Sequence, residues 1–362
     1  MKILYFSSIR WQNIKQRPQF IAEELAENGH VVDYVCRLQL GRKRDKVTQT
    51  QTGLSIRNIL VFPFALKFRF IEMINHCIVR HAVQWESYDI IIVAEPRLRG
   101  CLPEKLSCPV VYDCMDRTAE FYSGHLRKYI EEEDKKLCAL ADHIIVSSNN
   151  LKKIITQEYG ISATAITVIK NALSNSFIAQ LKSLDNDISV EERSFHLLYI
   201  GTIDFWFDWK IVTAFAQKHP DVMIHLVGPV KSVPPQVPKN IYFPGPVSND
   251  QLVHLLAKAK ILLLPFVKSK LIDCVDPIKL YEYTAVGKPV LSSFWEELSC
   301  FKNFKNIFFY HNETDFNALA EQLLRSENHP APDIAFTAQN NWAKRAEQYQ
   351  KILLNTVQSA QS

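Results

Sequence analysis

The chain has 362 residues, 47% hydrophobic and 22% charged, which is enough apolar side chain for two ordinary domains and excludes long disorder. Its formal net charge of +4 is too small to point to nucleic acid as a partner. Eight cysteines include no CxxC pair, which argues against a metal knuckle; the hydrophobic settings of Cys36, Cys77 and Cys138 predict buried thiols in a reducing compartment.

Residues 2–6 predict a strand, and this apolar run is too short for a signal peptide or a membrane span, so cytoplasmic placement is expected. A helix over 18–28 closes on Gly29, and a strand over 31–36 follows. Further strands are expected at 56–61, 89–94, 109–113 and 142–147, with helices at 67–84, 124–141 and 149–159. Residues 180–193 are polar and weakly patterned. Beyond them come strands at 195–200, 222–227, 240–243, 261–266, 289–293 and 306–310, and helices at 208–218, 249–258, 279–286 and 314–325. A helix over 339–355 carries Trp342, Ala346, Tyr349, Ile352 and Leu353 as an apolar stripe that needs burial. The alternation predicts an α/β protein of two doubly wound domains facing a cleft, divided at 1–175, a linker over 176–193, 194–338, and a closing helix over 339–362.

Candidate site residues lie where strands end. After the first strand, Trp11 suits stacking on a ring such as a sugar, and Arg17 suits contact with a phosphate, with Pro18 as the first helical residue. Asp113 and Asp116 follow the strand at 109–113. Asp116 is the first choice for a general base if a hydroxyl is to attack with inversion. Asp113 would orient Arg117 or lie buried and paired; Arg117 and Glu120 are alternatives for the catalytic role. The bland reading of Asp116 is a cap on the turn that follows. The acidic run at 131–134 reads as a solvated helix face.

In the second half, Gly201 ends a strand, and a residue without Cβ lets a ligand approach the backbone, with N–H groups at Thr202 and beyond free to hold a phosphate oxygen. Asp208 is an N-cap, and Phe205 and Trp206 pack or border the cleft. Gly228, in a Gly-Pro pair, ends another strand. Asp276 can cap a helix with Pro277 in its first turn. Lys279 in that turn opposes the helix dipole unless an anion binds there; Glu282, three residues on, shares its face and suits two ribose hydroxyls. The plain alternative is a capped helix with an intrahelical Lys–Glu pair contributing about 0.2–0.5 kcal/mol. Tyr281 and Tyr283 read as packing. Gly201, Thr202, Gly228, Asp276, Lys279, Leu280 and Glu282 form the expected nucleotide-binding set.

Taken together, Trp11 with Arg17-Pro18-Gln19, residues 112–116, Gly201-Thr202-Ile203 with Phe207-Asp208-Trp209, residues 226–229, and Asp276 to Glu282 with Gly287-Lys288-Pro289-Val290 resemble bacterial glycosyltransferases of the two-domain GT-B fold, in particular the teichuronic-acid-type cell-envelope polysaccharide transferases. The resemblance spans about 2–355. It implies an N-terminal acceptor-binding domain, a C-terminal domain holding a nucleoside diphosphate sugar (a UDP-sugar favoured), and a final helix packed back on the first domain. It places Glu282 on the ribose and Lys279 with the Gly201 turn on the phosphates. One departure stands out: many retaining relatives have a glutamate eight residues before the ribose-binding one, where this chain has Cys274, flanked by Asp273 and Asp276. Inversion or retention therefore stays open.

No HExxH spacing and no Asp-x-Asp triplet of the kind that holds a metal-bound nucleotide is read, and His76 and His81 do not suggest ligands, so no metal and no cofactor is expected; Lys279 and helix N–H groups would absorb the charge of the leaving diphosphate. Between 37 and 80, Arg37, Arg42, Lys43, Arg44, Lys46, Arg57, Lys67, Arg69 and Arg80 outnumber Asp45 and Glu72 and accompany Phe62, Phe64, Leu66, Phe68, Phe70, Ile71 and Met73. That mixture suits an anionic membrane surface or a lipid-linked saccharide acceptor, with a solvated loop beside a buried helix as the plain alternative. Competing readings are a UDP-sugar epimerase of the same shape and a non-catalytic nucleotide-sugar-binding protein. A dehydrogenase is disfavoured, since no GxGxxG follows the first strand.

Overall fold

Strands such as Ile90-Ile91-Ile92-Val93, apolar at every position, are what a parallel sheet covered on both faces requires, and each of these four residues is wholly buried. A computed structural model describes residues 1–41, 53–184, 195–326 and 332–361. It divides the chain into two units, residues 1–171 with 342–362, and residues 172–341.

The first unit contains β1 (Lys2–Ser7), α1 (Arg17–Glu27), β2 (Val31–Gln39), β3 (Leu54–Val61), α2 (Arg69–Ala82), β4 (Ile90–Val93), β5 (Val110–Cys114), α3 (Gly124–Leu140), β6 (His143–Val146), α4 (Asn149–Tyr159) and β7 (Ile166–Val168). Its strands pair in parallel in the order β3-β2-β1-β4-β5-β6-β7. The direction of winding reverses between β1 and β4, so the carboxyl ends of those strands open a crevice.

The second unit contains α5 (Asn175–Lys182), β8 (Phe195–Ile200), α6 (Trp209–Lys218), β9 (Ile224–Val227), β10 (Ile241–Gly245), α7 (Leu252–Ala257), β11 (Ala259–Leu264), α8 (Ile278–Val286), β12 (Val290–Ser293), β13 (Ile307–Tyr310), α9 (Glu313–Arg325) and α10 (Ile334–Gln339). Its parallel strands run in the order β10-β9-β8-β11-β12-β13, with the reversal between β8 and β11. Residues 176–182, expected in a linker, belong to α5: Ser174 caps the helix through the Phe177 N–H, and Phe177 and Leu181 are buried in the core of this unit. Residues 185–193 of that linker lie outside the described residues.

The helix expected over 339–355 is α11 (Trp342–Gln361), and a short helix that was not expected, α10, precedes it. Asp333 caps α10, and α11 belongs to the first unit. Trp342, Ala346, Tyr349 and Leu353 are buried, with Trp342 stacked on Phe20 of α1 at 5.3 Å. Arg345 Nε donates to the Lys170 carbonyl.

Two burial expectations change. Cys36 and Cys138 are buried, but Cys77 is exposed on α2, because the buried stripe of that helix runs through Glu72, Asn75 and Val79. The acidic run on α3 is a solvated face only in its first half: Glu132 is exposed, but Glu133 is buried and pairs with Arg99 at 2.6 Å, and buried Asp134 accepts from Tyr112 Oη (2.7 Å) and Tyr159 Oη (3.0 Å). Burial pushes the Asp134 carboxyl up to about 6. Arg42, Lys43, Arg44, Asp45 and Lys46 lie outside the described residues. No described helix is long and apolar enough to cross a membrane.

Candidate functional site

In the second unit the chain leaves β8 at Gly201, at the reversal point of the sheet, where the loops of an open α/β sheet bind ligands. A side chain here has no room. A Cβ on Gly201 would meet Tyr199 Oη at 2.7 Å, and one on Gly228 would meet the Gly201 carbonyl oxygen at 2.1 Å. The two turns therefore touch through backbone, and Gly228, at φ 140, also needs a conformation that other residues rarely adopt. Gly228 is buried under the Gly201 turn, so it shapes the turn from behind. The Thr202 carbonyl accepts from Tyr199 Oη (2.9 Å) and Trp206 Nε1 (3.2 Å), which pins the loop. Phe205 beside it is half exposed, and Asp208 caps α6 through the Ile211 N–H.

Helix α8 is tied to this turn by one tyrosine. The Ile200 N–H, one residue before Gly201, donates to Tyr283 Oη at 3.0 Å. Its strand pairing with β11 has already ended at Leu198–Leu262. Tyr283 thus serves as more than packing: it satisfies a buried strand-end donor and locks α8 to the Gly201 turn. Tyr281 Oη donates to Asp276 at 3.0 Å. Asp276 is buried on that bond, and the N-cap position falls on Pro277, which offers no side-chain cap.

Lys279 Nζ donates to Glu282 Oε2 at 2.8 Å, with the lysine side chain 30% exposed and the glutamate 12%. The two groups share one face at the helix start. Leu280 points away from that face: its side chain is in the core and its N–H donates to the Pro277 carbonyl. Cys274 is buried and forms no disulfide. An uncapped helix start, a cation and a carboxylate beside a glycine turn can hold a diphosphate and a diol together.

In the first unit, Arg17 is not a surface group. It is 2% exposed, and its Nε donates to Asp113 Oδ1 at 3.0 Å while Nη1 donates to the Ile169 carbonyl at 2.6 Å. Asp113 also accepts from Tyr5 Oη (2.5 Å) and Tyr349 Oη (2.7 Å). Burial and the charge of Asp113 hold both phenols well above their ordinary value, so each remains a donor. Burial works against the Arg17 charge, but Asp113 outweighs it and the guanidinium stays protonated. The alternative in which Asp113 orients Arg117 is not what the structure contains. Arg117 turns to Glu158 (2.8 Å) and Glu120 (3.5 Å).

Asp116 sits just beyond β5, partly exposed. Loss of water around it pushes its carboxyl up to about 6, with the Arg17 guanidinium opposing part of that rise. Its backbone carbonyl accepts from the Thr118 N–H; no described residue donates to its carboxylate. Trp11 remains in the loop after β1, partly exposed and edge-on to Tyr34 at 4.9 Å. No group of three or more His, Cys, Asp or Glu that could hold a metal occurs among the described residues.

The model of Glycosyltransferase Family 4 matches residues 19–176, and the Glycosyl transferase-like model matches residues 209–351. Sucrose-phosphate synthase from Thermosynechococcus elongatus superposes with a TM-score of 0.74 at 13% identity, over 99% of this chain and 100% of that one. This chain has the GT-B fold. Other GT-B structures agree: Anabaena HepE in complex with UDP (TM-score 0.58, 14% identity, 99% and 98% covered) and starch synthase IV from Arabidopsis thaliana bound to ADP and acarbose (0.63, 11%, 99% and 99%). At these identities they show the fold alone. A curated relative, TuaH of Bacillus subtilis, named as a teichuronic acid biosynthesis glycosyltransferase, is 27% identical over 199 residues. That match covers 51% of this chain, and the chain spans about half the length of the curated relative it matches.

Proposed function

We propose that this GT-B protein is a glycosyltransferase. It moves a sugar from a nucleoside diphosphate sugar, a UDP-sugar by preference, to a hydroxyl of a cell-envelope saccharide or lipid-linked saccharide. The observation that carries this reading is the juxtaposition at the reversal point of the second sheet: the Gly201–Gly228 turns, the uncapped start of α8 with Lys279 and Glu282, and the Tyr283–Ile200 bond between them. Glu282 accepts the two ribose hydroxyls. Lys279, freed from Glu282 when donor binds, faces the diphosphate together with the first amides of α8 and the Thr202 side of the Gly201 turn. Asp276 and Leu280 act on the donor only through the backbone they anchor.

Departure of the diphosphate leaves negative charge next to Lys279 and the helix start, which stabilise it without a metal. On the first unit, Asp116 takes the proton of the attacking hydroxyl. A carboxyl with pKa near 6 is ionised at neutral pH yet basic enough for this task. Arg17, held by Asp113, tunes Asp116 from behind, and Trp11 offers a ring face to the acceptor sugar. The names of TuaH, tied to teichuronic acid, and of HepE, solved with UDP, support the donor and acceptor classes.

The protein works at the cytoplasmic face of an anionic membrane in this reading. Phe62, Phe64, Leu66, Phe68, Phe70, Met73 and Ile74 are all exposed among Lys67 and Arg69, a surface that is costly to leave in water. The deciding experiment offers a panel of nucleotide sugars and a polyprenyl-diphosphate saccharide to the full chain, with chelator present, and reads products by mass spectrometry. Transfer from a UDP-sugar is expected; no product with any donor, despite donor binding, refutes the activity.

A further inference from the structure

The carboxyl ends of β1, β2 and β3 enclose a cavity of about 450 Å³, which takes in part of the exposed apolar surface at Phe62–Lys67. Arg10, Arg37, Arg97 and Lys67 line it, against the single lining carboxylate of Glu72. Glu72 is already engaged by Arg37 at 3.0 Å and His76 at 3.5 Å, and Arg97 is backed by Glu95 at 3.0 Å. Hydrogen bonding from His76 and the charges of Arg37 and Arg97 overcome burial and hold the Glu72 carboxyl down at about 2, so the group stays ionised and in place. Even with Glu95 counted, the cations outnumber the acids.

One wall of this pocket is a loop that ought to be unstable. Phe62, Pro63, Phe64, Ala65 and Leu66 line it, yet Phe62, Phe64 and Leu66 are 45%, 66% and 47% exposed. Phe64 has φ 65, the only non-glycine residue with positive φ among the described residues. A bulky residue in that region is strained and persists where surrounding contacts enforce it. Asn75, buried on α2, does so: its side chain accepts from the Phe62 N–H (2.8 Å) and donates to the Phe62 carbonyl (3.0 Å). The polar core of the loop is spent on holding apolar rings outward.

We propose that this pocket binds the phosphate group of a phosphorylated lipid, with Arg10, Arg37 and Arg97 on the phosphate oxygens and the Phe62–Leu66 lip in the acyl or prenyl region. It rests on the proposed function and deepens it, since such a lipid is the carrier of a lipid-linked acceptor. Guanidinium forks match phosphate oxygens, and the apolar lip favours a lipid over a soluble sugar phosphate.

The test is vesicle flotation of the full chain with three compositions: phosphatidylcholine alone, phosphatidylcholine with phosphatidylglycerol, and phosphatidylcholine with a polyprenyl diphosphate at matched surface charge. The third should be bound about tenfold or more tightly than the second, the scale of one or two charge-assisted hydrogen bonds. Arg10→Gln should lower that preference about tenfold while phosphatidylglycerol binding persists. Arg10→Lys should retain part of it, and Phe64→Ser should weaken binding to every vesicle. The proposal is overturned if all anionic vesicles bind alike, if Arg10→Gln with an unchanged melting temperature keeps the preference, or if inorganic pyrophosphate binds as tightly as the vesicles do. Calorimetry of UDP-sugar binding on the same preparations separates the two readings: lipid preference without donor binding refutes the donor site alone, and the reverse refutes this pocket alone.

Discussion

Asp113 carries the heaviest electrostatic duty in the first unit, so Asp113→Asn is the sharpest probe of it. The carboxylate is wholly buried and takes donors from Tyr5, Arg17 and Tyr349. Asparagine keeps the shape and one acceptor oxygen but removes the counter-charge of a guanidinium that is itself 2% exposed. Stranding one member of a buried ion pair costs about 3–5 kcal/mol. For a unit of this size, each kcal/mol lowers the melting temperature by roughly 2–4 °C, so the variant should melt about 6–20 °C lower. Tyr349→Phe, which deletes one neutral donor, should cost only about 0.5–1.5 kcal/mol. Calorimetry gives the midpoint, and hydrogen exchange shows whether the loss is confined to the first sheet and α11. An Asp113→Asn loss below about 1 kcal/mol would mean that Arg17 does not depend on Asp113, and the account of this core would fail.

The other predictions concern the two ligand-facing regions. Glu282→Ala should weaken UDP-sugar binding about ten- to a hundredfold, the worth of charge-assisted hydrogen bonds to a diol, with little change in melting temperature; equal affinity by calorimetry removes Glu282 from the ribose. Tyr283→Phe leaves the Ile200 N–H without its acceptor at a cost of about 1–3 kcal/mol. Amide exchange at Ile200 should accelerate and donor affinity should fall, and unchanged protection at Ile200 refutes the tether. In the native protein the proposed transfer should speed up as pH rises through about 6, where the elevated Asp116 carboxyl loses its proton and becomes a base. Asp116→Asn should bind donor normally and transfer slowly without that rise; an identical pH profile in the variant excludes Asp116 as the base.

The alternation of apolar runs and amphipathic stretches shows most strands and helices, because burial of a parallel strand on both faces leaves an unbroken hydrophobic signature. Strand 2–6 and helix 149–159 are read within a residue of the observed β1 and α4. Short elements are harder: α5 has eight residues and only two deeply buried ones, Phe177 and Leu181. Site chemistry is legible only where it is local. Lys279 and Glu282 are three residues apart on one helix, and their pairing follows from helical geometry. Arg17 looks like a loop arginine because its partner lies 96 residues away and the third member, Tyr349, 236 residues from Asp113. The Asp276–Tyr281 bond is likewise one that no propensity reveals. Tyr283 carried a weak signal: a phenol at an otherwise apolar helix position needs a buried polar partner. Cys77 misled because its neighbours are hydrophobic while the helix face it occupies is not covered.

Because α11 completes the first unit yet follows the whole second unit in sequence, the nascent first sheet must wait for it. At ordinary synthesis speeds that delay is on the order of ten to thirty seconds. Throughout it Asp113 lacks the phenol of Tyr349, and Phe20 lacks the indole of Trp342. A ribosome stalled anywhere in the second unit would therefore display an unfinished first one, with an open flank on α1 for chaperones or proteases to find.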